Sequence, residues 1–132
     1  MSCWISRSVL DAIRQESAIV APDEACGLLF GSTAEIQGWQ AARNVAEEPK
    51  RRFEIDPAAL FAALRAERAG GPRLVGYWHS HPSGDPQPSR TDAAMAAPDG
   101  KFWLILGSEF RLWRAGTTGR HRRFEEVTIE IR

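Results

Sequence analysis

The sequence predicts an α/β (α+β) fold in which a single mixed β-sheet is flanked by helices. Three observations carry this. Two stretches, one over residues 7–18 and one opening at Asp56-Pro57, place apolar residues at helical spacing. Several short apolar or alternating runs, bounded by Gly and Pro, have the length of strands. The two patterns interleave along the chain, which favours helices packed on a sheet over separate all-α and all-β units. A chain of 132 residues supports one core, so it is read as a single domain over 1–132.

Each element follows from local chemistry. In residues 7–18, Val9, Leu10 and Ile13 share one face, and Ser6 is the candidate N-cap. Pro22-Asp23 breaks that pattern. Residues 25–30 (ACGLLF) form an apolar run ending at Gly31, the mark of a buried strand. Residues 35–45 are its expected antiparallel partner, with Ser32-Thr33 near the turn, and 46–52 form a polar loop. Asp56 caps the second helix and Pro57 takes its first position, where a missing N–H is harmless. Leu60, Phe61 and Leu64 follow at helical spacing, and Gly70-Gly71-Pro72 ends the helix. Residues 73–79 read as a central strand. Residues 82–88 hold three of the eight prolines and must be a loop. A short helix is expected from Ser89 to about Ala97. Three strands complete the chain, at 101–107, 109–115 and 121–131; in the last, Val127, Ile129 and Ile131 alternate.

Composition excludes several classes of function. Lys plus Arg and Asp plus Glu both number 17, so the formal net charge is zero and no nucleic-acid partner is expected. Hydrophobic residues at 43% and charged residues at 26% match ordinary globular usage and argue against disorder. No apolar run approaches the roughly 18 residues of a membrane span, so no membrane role is expected. Arg7, Asp11, Arg14 and Glu16 interrupt the early residues, which rules out a signal-peptide core there. With two cysteines and no export signal, the expected compartment is the cytoplasm. Two cysteines cannot build a four-Cys zinc site. Any metal chemistry must draw on the three His and on carboxylates.

One segment concentrates that chemistry. His79 and His81 stand at i and i+2 at a strand end, so their imidazoles point to the same side. Asp92 follows a constrained Pro/Gly loop and lies in the first turn of the next helix, from which its carboxylate can reach the same ion. Two His and one Asp leave a fourth tetrahedral position for water, the layout of a catalytic zinc site. Imidazole ligands favour Zn2+ over magnesium or calcium. Plainer roles compete for some of these residues. Ser89-Arg90-Thr91-Asp92 also fits a capping box. Asp85, in Gly84-Asp85-Pro86, fits a turn residue. His121, among Arg120, Arg122 and Arg123, reads as a solvated edge residue, and Lys50-Arg51-Arg52 as a solvated basic loop.

His79-x-His81-Pro82 followed by Pro88-Ser89-x-x-Asp92 resembles the motif of the JAMM (MPN+, JAB1/MPN/Mov34) zinc metalloproteases. Glu24 in Pro22-Asp23-Glu24-Ala25-Cys26-Gly27-Leu28-Leu29-Phe30-Gly31 resembles the family's E-x-C-G-L-L-x-G strand. Asn44 with Arg52-Phe53-x-Ile55-Asp56-Pro57 is similar to the connecting region of small stand-alone bacterial members. The resemblance covers roughly residues 6–115. It implies the MPN/JAB (cytidine deaminase-like) architecture, with His79, His81 and Asp92 as zinc ligands. It implies that Glu24 is the general base for the water at the open position, and that Ser89 donates a hydrogen bond to the oxyanion. Cys26 lies near Glu24 but reads as core filler, not as a ligand.

The resemblance also implies a substrate class. Larger relatives that cut ubiquitin chains carry gripping insertions, for which this length leaves little room. The implied partner is a small ubiquitin-like sulfur-carrier protein with a C-terminal Gly-Gly tail, cleaved after that tail. An extended tail is expected to dock as an added strand beside the sheet, with the loop 46–53 and the strand around Trp103 as candidate contacts. The five Trp (4, 39, 78, 103, 113) are read mostly as core, with one or two as candidates for a homodimer or carrier interface. Two other readings remain. His-Pro-Ser-Gly-Asp-Pro with Pro-Ser-x-x-Asp also resembles RadC-like DNA-repair-associated proteins, and the fold is shared with non-catalytic MPN scaffolds.

Overall fold

A computed structural model describes all of residues 1–132. In chain order the elements are β1 (Ser2–Ile5), α1 (Arg7–Val20), β2 (Cys26–Gly31), β3 (Glu35–Ala42) and α2 (Pro57–Arg68). They continue with β4 (Leu74–Ser80), α3 (Arg90–Met95), β5 (Phe102–Leu106), β6 (Phe110–Arg120) and β7 (Phe124–Ile131). The seven strands form one mixed sheet in the order β1-β3-β2-β4-β5-β6-β7, and this sheet closes on itself as a barrel. Pairings β1–β3, β1–β7 and β4–β5 are parallel and the others antiparallel. The expected mixed sheet with helices is thus present, but its closure was not foreseen.

The closing strand is the four-residue β1, which the sequence reading passed over. Cys3 and Ile5 are fully buried while Trp4 faces out, the alternation of a half-buried strand. With only two inward residues the pattern is too short to stand out. Closure leaves little free edge, but β1 pairs with β3 only at Glu35 and Ile36, so β3 from Gln37 to Ala42 has no strand beside it on that side.

The helices form where capping chemistry placed them. The Ser6 hydroxyl accepts from the Val9 N–H at 3.2 Å, and α1 buries Val9, Leu10, Ile13 and Ser17. The Asp56 carboxylate accepts from the Ala58 N–H at 3.1 Å, with Pro57 at the first position of α2. That helix sits higher on the surface than its spacing suggests. Only Ala63 is buried, and Phe61 is 60% exposed. β6 runs five residues beyond the expected 115, forming a twisted ribbon whose register shifts between Ala115 and Arg120.

The main core gathers Trp78, Ile13, Leu29, Ile36, Phe102, Leu104 and Leu112 between α1 and the sheet. Trp78 is fully buried, and its indole N–H donates to the Gln40 carbonyl at 3.1 Å. Gly27 makes this possible: a Cβ there would overlap both the Gln40 carbonyl oxygen and the indole. A second cluster holds Cys26, Phe53, Trp103, Ile105, Trp113 and Phe124 beneath the functional site. Trp78, Trp103 and Trp113 are therefore core, Trp39 is half-buried, and Trp4 lies under the Arg132 guanidinium at 4.5 Å. No helix is long and apolar enough to cross a membrane.

Candidate metal centre

The site is assembled by the pairing of β2 with β4. Cys26 faces His79 in the antiparallel register. Just before β2, the Ala25 N–H donates to the Ser80 hydroxyl at 2.8 Å, and the Ser80 N–H donates to the Ala25 carbonyl at 3.0 Å. Ser80 points away from its two His neighbours and clamps the Glu24 segment to the end of β4. Parallel pairing of β4 with β5 then extends past the strand, where the His81 N–H donates to the Leu106 carbonyl at 2.8 Å.

His79 and His81 do project to one side. Their Nε2 atoms lie 2.9 Å apart, and the Asp92 Oδ2 lies 3.3 Å from the first and 3.1 Å from the second. Asp92 is delivered by α3 through a complete capping box. The Ser89 hydroxyl accepts from the Asp92 N–H at 3.0 Å, and the Ser89 N–H donates to Asp92 Oδ2 at 2.9 Å. Capping and convergence therefore use the same two residues at once. His79 is held flat against Phe53, with ring centroids 4.2 Å apart, and edge-on to Trp103.

This arrangement can be tested for its fit to a metal ion. The His81 Nδ1–H donates to the Asp85 carbonyl at 2.7 Å, which leaves its Nε2 as a lone pair. Two ring nitrogens and a carboxylate oxygen converge within 3.3 Å, and with the His79 Nδ1 unpartnered either a proton on the His79 Nε2 or a cation must lie between them. Ligand atoms on a tetrahedral ion at about 2.0–2.1 Å sit roughly 3.3 Å apart, so the observed edges are those of one face of such a shell. Glu24 is the fourth group. It is 5% exposed, its Oε1 has no hydrogen-bond partner, and its carboxylate lies within 4.8 Å of both imidazoles. Glu24, His79 and His81 also meet the distance requirement for a ligand triad. Asp92 has the stronger geometric claim, because its Oδ2 is near hydrogen-bonding distance of both imidazoles. The donor set fits a metal ion, with Glu24 beside it and unpartnered. Cys26 takes no part: its buried thiol faces the Ala42 carbonyl.

Electrostatics divides the roles further. Burial, reinforced by the Asp92 charge and opposed by His81, raises the Glu24 pKa to about 7. Asp92 is driven the other way. Burial would raise it, but His79, His81 and the Ser89 N–H hold it far below the carboxylate range. Burial lowers His79 and keeps it neutral, the form that ligates metals. Burial also acts against charge on His81, but Asp92 and the Asp85 carbonyl outweigh it and raise its pKa.

The site opens into a cleft of about 510 Å³ lined by Glu24, His81 and Ser89, by charged side chains and by Pro82 and Pro88. Ser89 accepts its capping bond with a lone pair, which leaves its O–H free to donate into that cleft. Three residues here were given no site role by the sequence. Asn44 donates to the carbonyls of Glu24 and Arg52 at 3.0 Å each. Its Oδ1 accepts from the N–H groups of Ala46 and Glu54, also at 3.0 Å. Asn44 therefore ties the 46–54 loop to the Glu24 backbone. Arg120 and His121, at the β6–β7 turn, both donate to the Pro88 carbonyl, at 3.2 and 3.1 Å. His121 remains exposed as expected, but it belongs to the cleft.

Two imidazoles and two carboxylates whose pKa values are pushed apart thus meet at one cleft, a donor set that fits a metal-dependent hydrolase. Comparison with known proteins gives the family. The family model described as prokaryotic homologs of the JAB domain matches residues 6–124, and the chain belongs to that family. It is 34% identical over 125 residues to a protein named desampylase from Haloferax volcanii, covering 93% of this chain and 90% of that one. It is also 34% identical over 93 residues to a "Probable TtuB-protein conjugate cleaving protease" from Thermus thermophilus, covering 70% and 62%. Among solved structures, a JAB1/MPN domain protein from Archaeoglobus fulgidus superposes with a TM-score of 0.63 at 23% identity, over 99% of this chain and 97% of that one. That likeness is one of fold.

Proposed function

We propose that the chain is a zinc-dependent peptidase or isopeptidase that hydrolyses the bond after the Gly-Gly tail of a small ubiquitin-like sulfur-carrier protein. The observation that carries this is the convergence of His79, His81 and Asp92, with Glu24 standing off unpartnered beside them. Relatives named for desampylase and for protein-conjugate cleavage support the substrate class. A complete donor set favours a working enzyme over a scaffold. The polypeptide acts as one domain over 1–132, in the cytoplasm. Trp4 and the half-buried Trp39 are the tryptophans left for a homodimer or carrier contact.

In this reading His79, His81 and Asp92 hold Zn2+, whose chemistry is Lewis acidity that makes a water acidic near neutral pH. Glu24 takes the proton from the attacking water and passes it to the leaving amine. Its raised pKa suits both transfers, because a base that binds its proton too weakly cannot accept it and one that binds too tightly cannot return it. Ser89 donates its free O–H to the oxygen that gains charge as the carbonyl becomes tetrahedral. The Asp85 carbonyl fixes the His81 tautomer.

The test is incubation of the zinc-loaded protein with carrier fusions that continue beyond Gly-Gly, read by mass spectrometry. Cleavage after the second Gly, abolished by chelation and in Glu24→Gln, is the expected result. Intact fusions with stoichiometric zinc bound would overturn the reading.

A further inference from the structure

The two sides of the metal centre differ in character. Behind His79, Phe53 and Trp103 separate it from an apolar groove of about 340 Å³ that also involves Ile55, Leu60 and Tyr77. On the other side, the cleft that holds Glu24 and Ser89 has Lys50, Arg51, Arg90 and Arg120 on its walls. These are four fixed positive charges in a chain whose net charge is zero. None of the four forms a salt bridge within the protein, whereas Arg111 and Arg132 do. The two acids in the same cleft, Glu24 and Asp85, are outnumbered by the four cations, and neither forms a salt bridge with them.

All four cations are exposed, and Arg120 is also held in place. Arg120 spends its Nε on the Pro88 carbonyl, which directs its two terminal nitrogens away from that bond. Lys50 and Arg51 sit directly after Pro49, whose carbonyl accepts from the Glu24 N–H at 2.7 Å. Movement of that loop is therefore coupled to the base. Arg90 follows Ser89 at the start of α3.

We infer that this cleft is an anion subsite that takes a carboxylate of the leaving fragment. The inference rests on the peptidase reading above, because it uses that reading to divide the substrate. A Gly-Gly tail has no side chain and no charge before its scissile bond, so the four unpaired cations beside Glu24 and Ser89 have no partner in the tail itself. They suit a fragment that carries its own negative charge, either a free C-terminal carboxylate or an acidic side chain next to the cut.

The experiment measures binding of three synthetic peptides to zinc-loaded Glu24→Gln protein: Gly-Gly-Ala-Ala as free acid, the same peptide as C-terminal amide, and Gly-Gly-Asp-Ala amide. At about 20 mM salt the free acid, the Asp peptide or both should bind at least about fivefold tighter than the neutral amide, on the scale of one or two exposed charge contacts. That preference should shrink at about 0.5 M salt and collapse towards one in the Arg51→Gln/Arg90→Gln double variant. Equal binding of all three peptides, or a preference that the double variant leaves intact, would overturn the subsite. The active enzyme separates the two ideas. Equal cleavage of all three peptides removes the subsite and keeps the peptidase. Binding preference without cleavage of any of them, or of the carrier fusions, keeps the subsite and removes the peptidase.

Discussion

Replacing Asn44 tests whether the base is held in place by the loop that covers it. In Asn44→Ala, four hydrogen bonds of 3.0 Å disappear, two of them partly buried and two exposed, together with a longer one of 3.4 Å to the Pro49 carbonyl. At about 1 kcal/mol for each partly buried bond and about half that for each exposed one, the loss is about 3 kcal/mol. A domain of this size has a total stability of roughly 5–15 kcal/mol, so this is a large fraction. Denaturant unfolding reads it as a lower midpoint. Activity should fall more than the folded fraction does, because the Glu24 carbonyl and the Pro49 turn lose their common anchor. Asn44→Asp sharpens the argument. It keeps both accepted bonds, yet it turns a carboxylate towards the carbonyl oxygens of Glu24 and Arg52. It should be no more stable than the alanine variant. If Asn44→Asp unfolds within about 0.5 kcal/mol of the parent and keeps its kcat, Asn44 is not a positioning residue for Glu24.

Other expectations follow from the same geometry. His79→Ala and Asp92→Ala should each lose bound zinc by elemental analysis, whereas Glu24→Gln should retain it and lose turnover. In the chelated protein, Glu24 holds its proton up to about pH 7, against about 4.3 in an unfolded chain. Its contribution is therefore full at pH 4 and lost as pH rises through 7. Glu24→Gln should then stabilise the metal-free protein at pH 8 by up to about 3 kcal/mol and leave it unchanged at pH 4; equal effects at both pH values would exclude a buried, unpartnered carboxylate. Ser89→Ala should lower kcat by about 10²–10³ if the hydroxyl meets the oxyanion, and cost about 1 kcal/mol of stability from the lost cap. A normal kcat with reduced stability would leave only the cap. Burial pushes the Cys26 thiol up to about 12 and raises Cys3 as well. Neither should react with iodoacetamide at pH 8 until the protein is unfolded, and rapid native labelling by mass spectrometry would contradict the packing.

Much of the centre was legible because its chemistry is local. His79 and His81 share a face through strand alternation, and Ser89 and Asp92 are brought together by a capping box that three-residue spacing announces. Glu24 was found only through resemblance, since nothing in one acid before an apolar strand says that Ser80 will clamp its segment to β4. The elements were legible where caps and breakers mark them, as at Ser6, Asp56 and Gly70. What stayed hidden depends on contacts between distant segments. β1 gains its meaning from β3 and β7, which lie far along the chain. Arg120 and His121 reach the cleft only because a bulge turns the β6–β7 ribbon back onto Pro88. Phe61 shows the opposite error: helical spacing marks which residues share a face, but not how deeply that face is sunk.

The short strand β1 joins segments from opposite ends of the polypeptide. Ser2 pairs with Thr128 and Ile5 with Ile131, so the barrel's seam closes only after nearly the whole chain has been made. The candidate donors all fall between Glu24 and Asp92, on or beside β2, β4 and α3. The seam is costly in loop entropy, while the donor cluster depends on nearer contacts. Contact order therefore predicts a late-forming wall and an early-forming centre. Loosening the wall, by heat or by a protease cut near residue 6, should reach the centre through β3 and β2 on one side and through β7, β6 and β5 on the other. An ion already bound would hold the inner half together while the outer half opens.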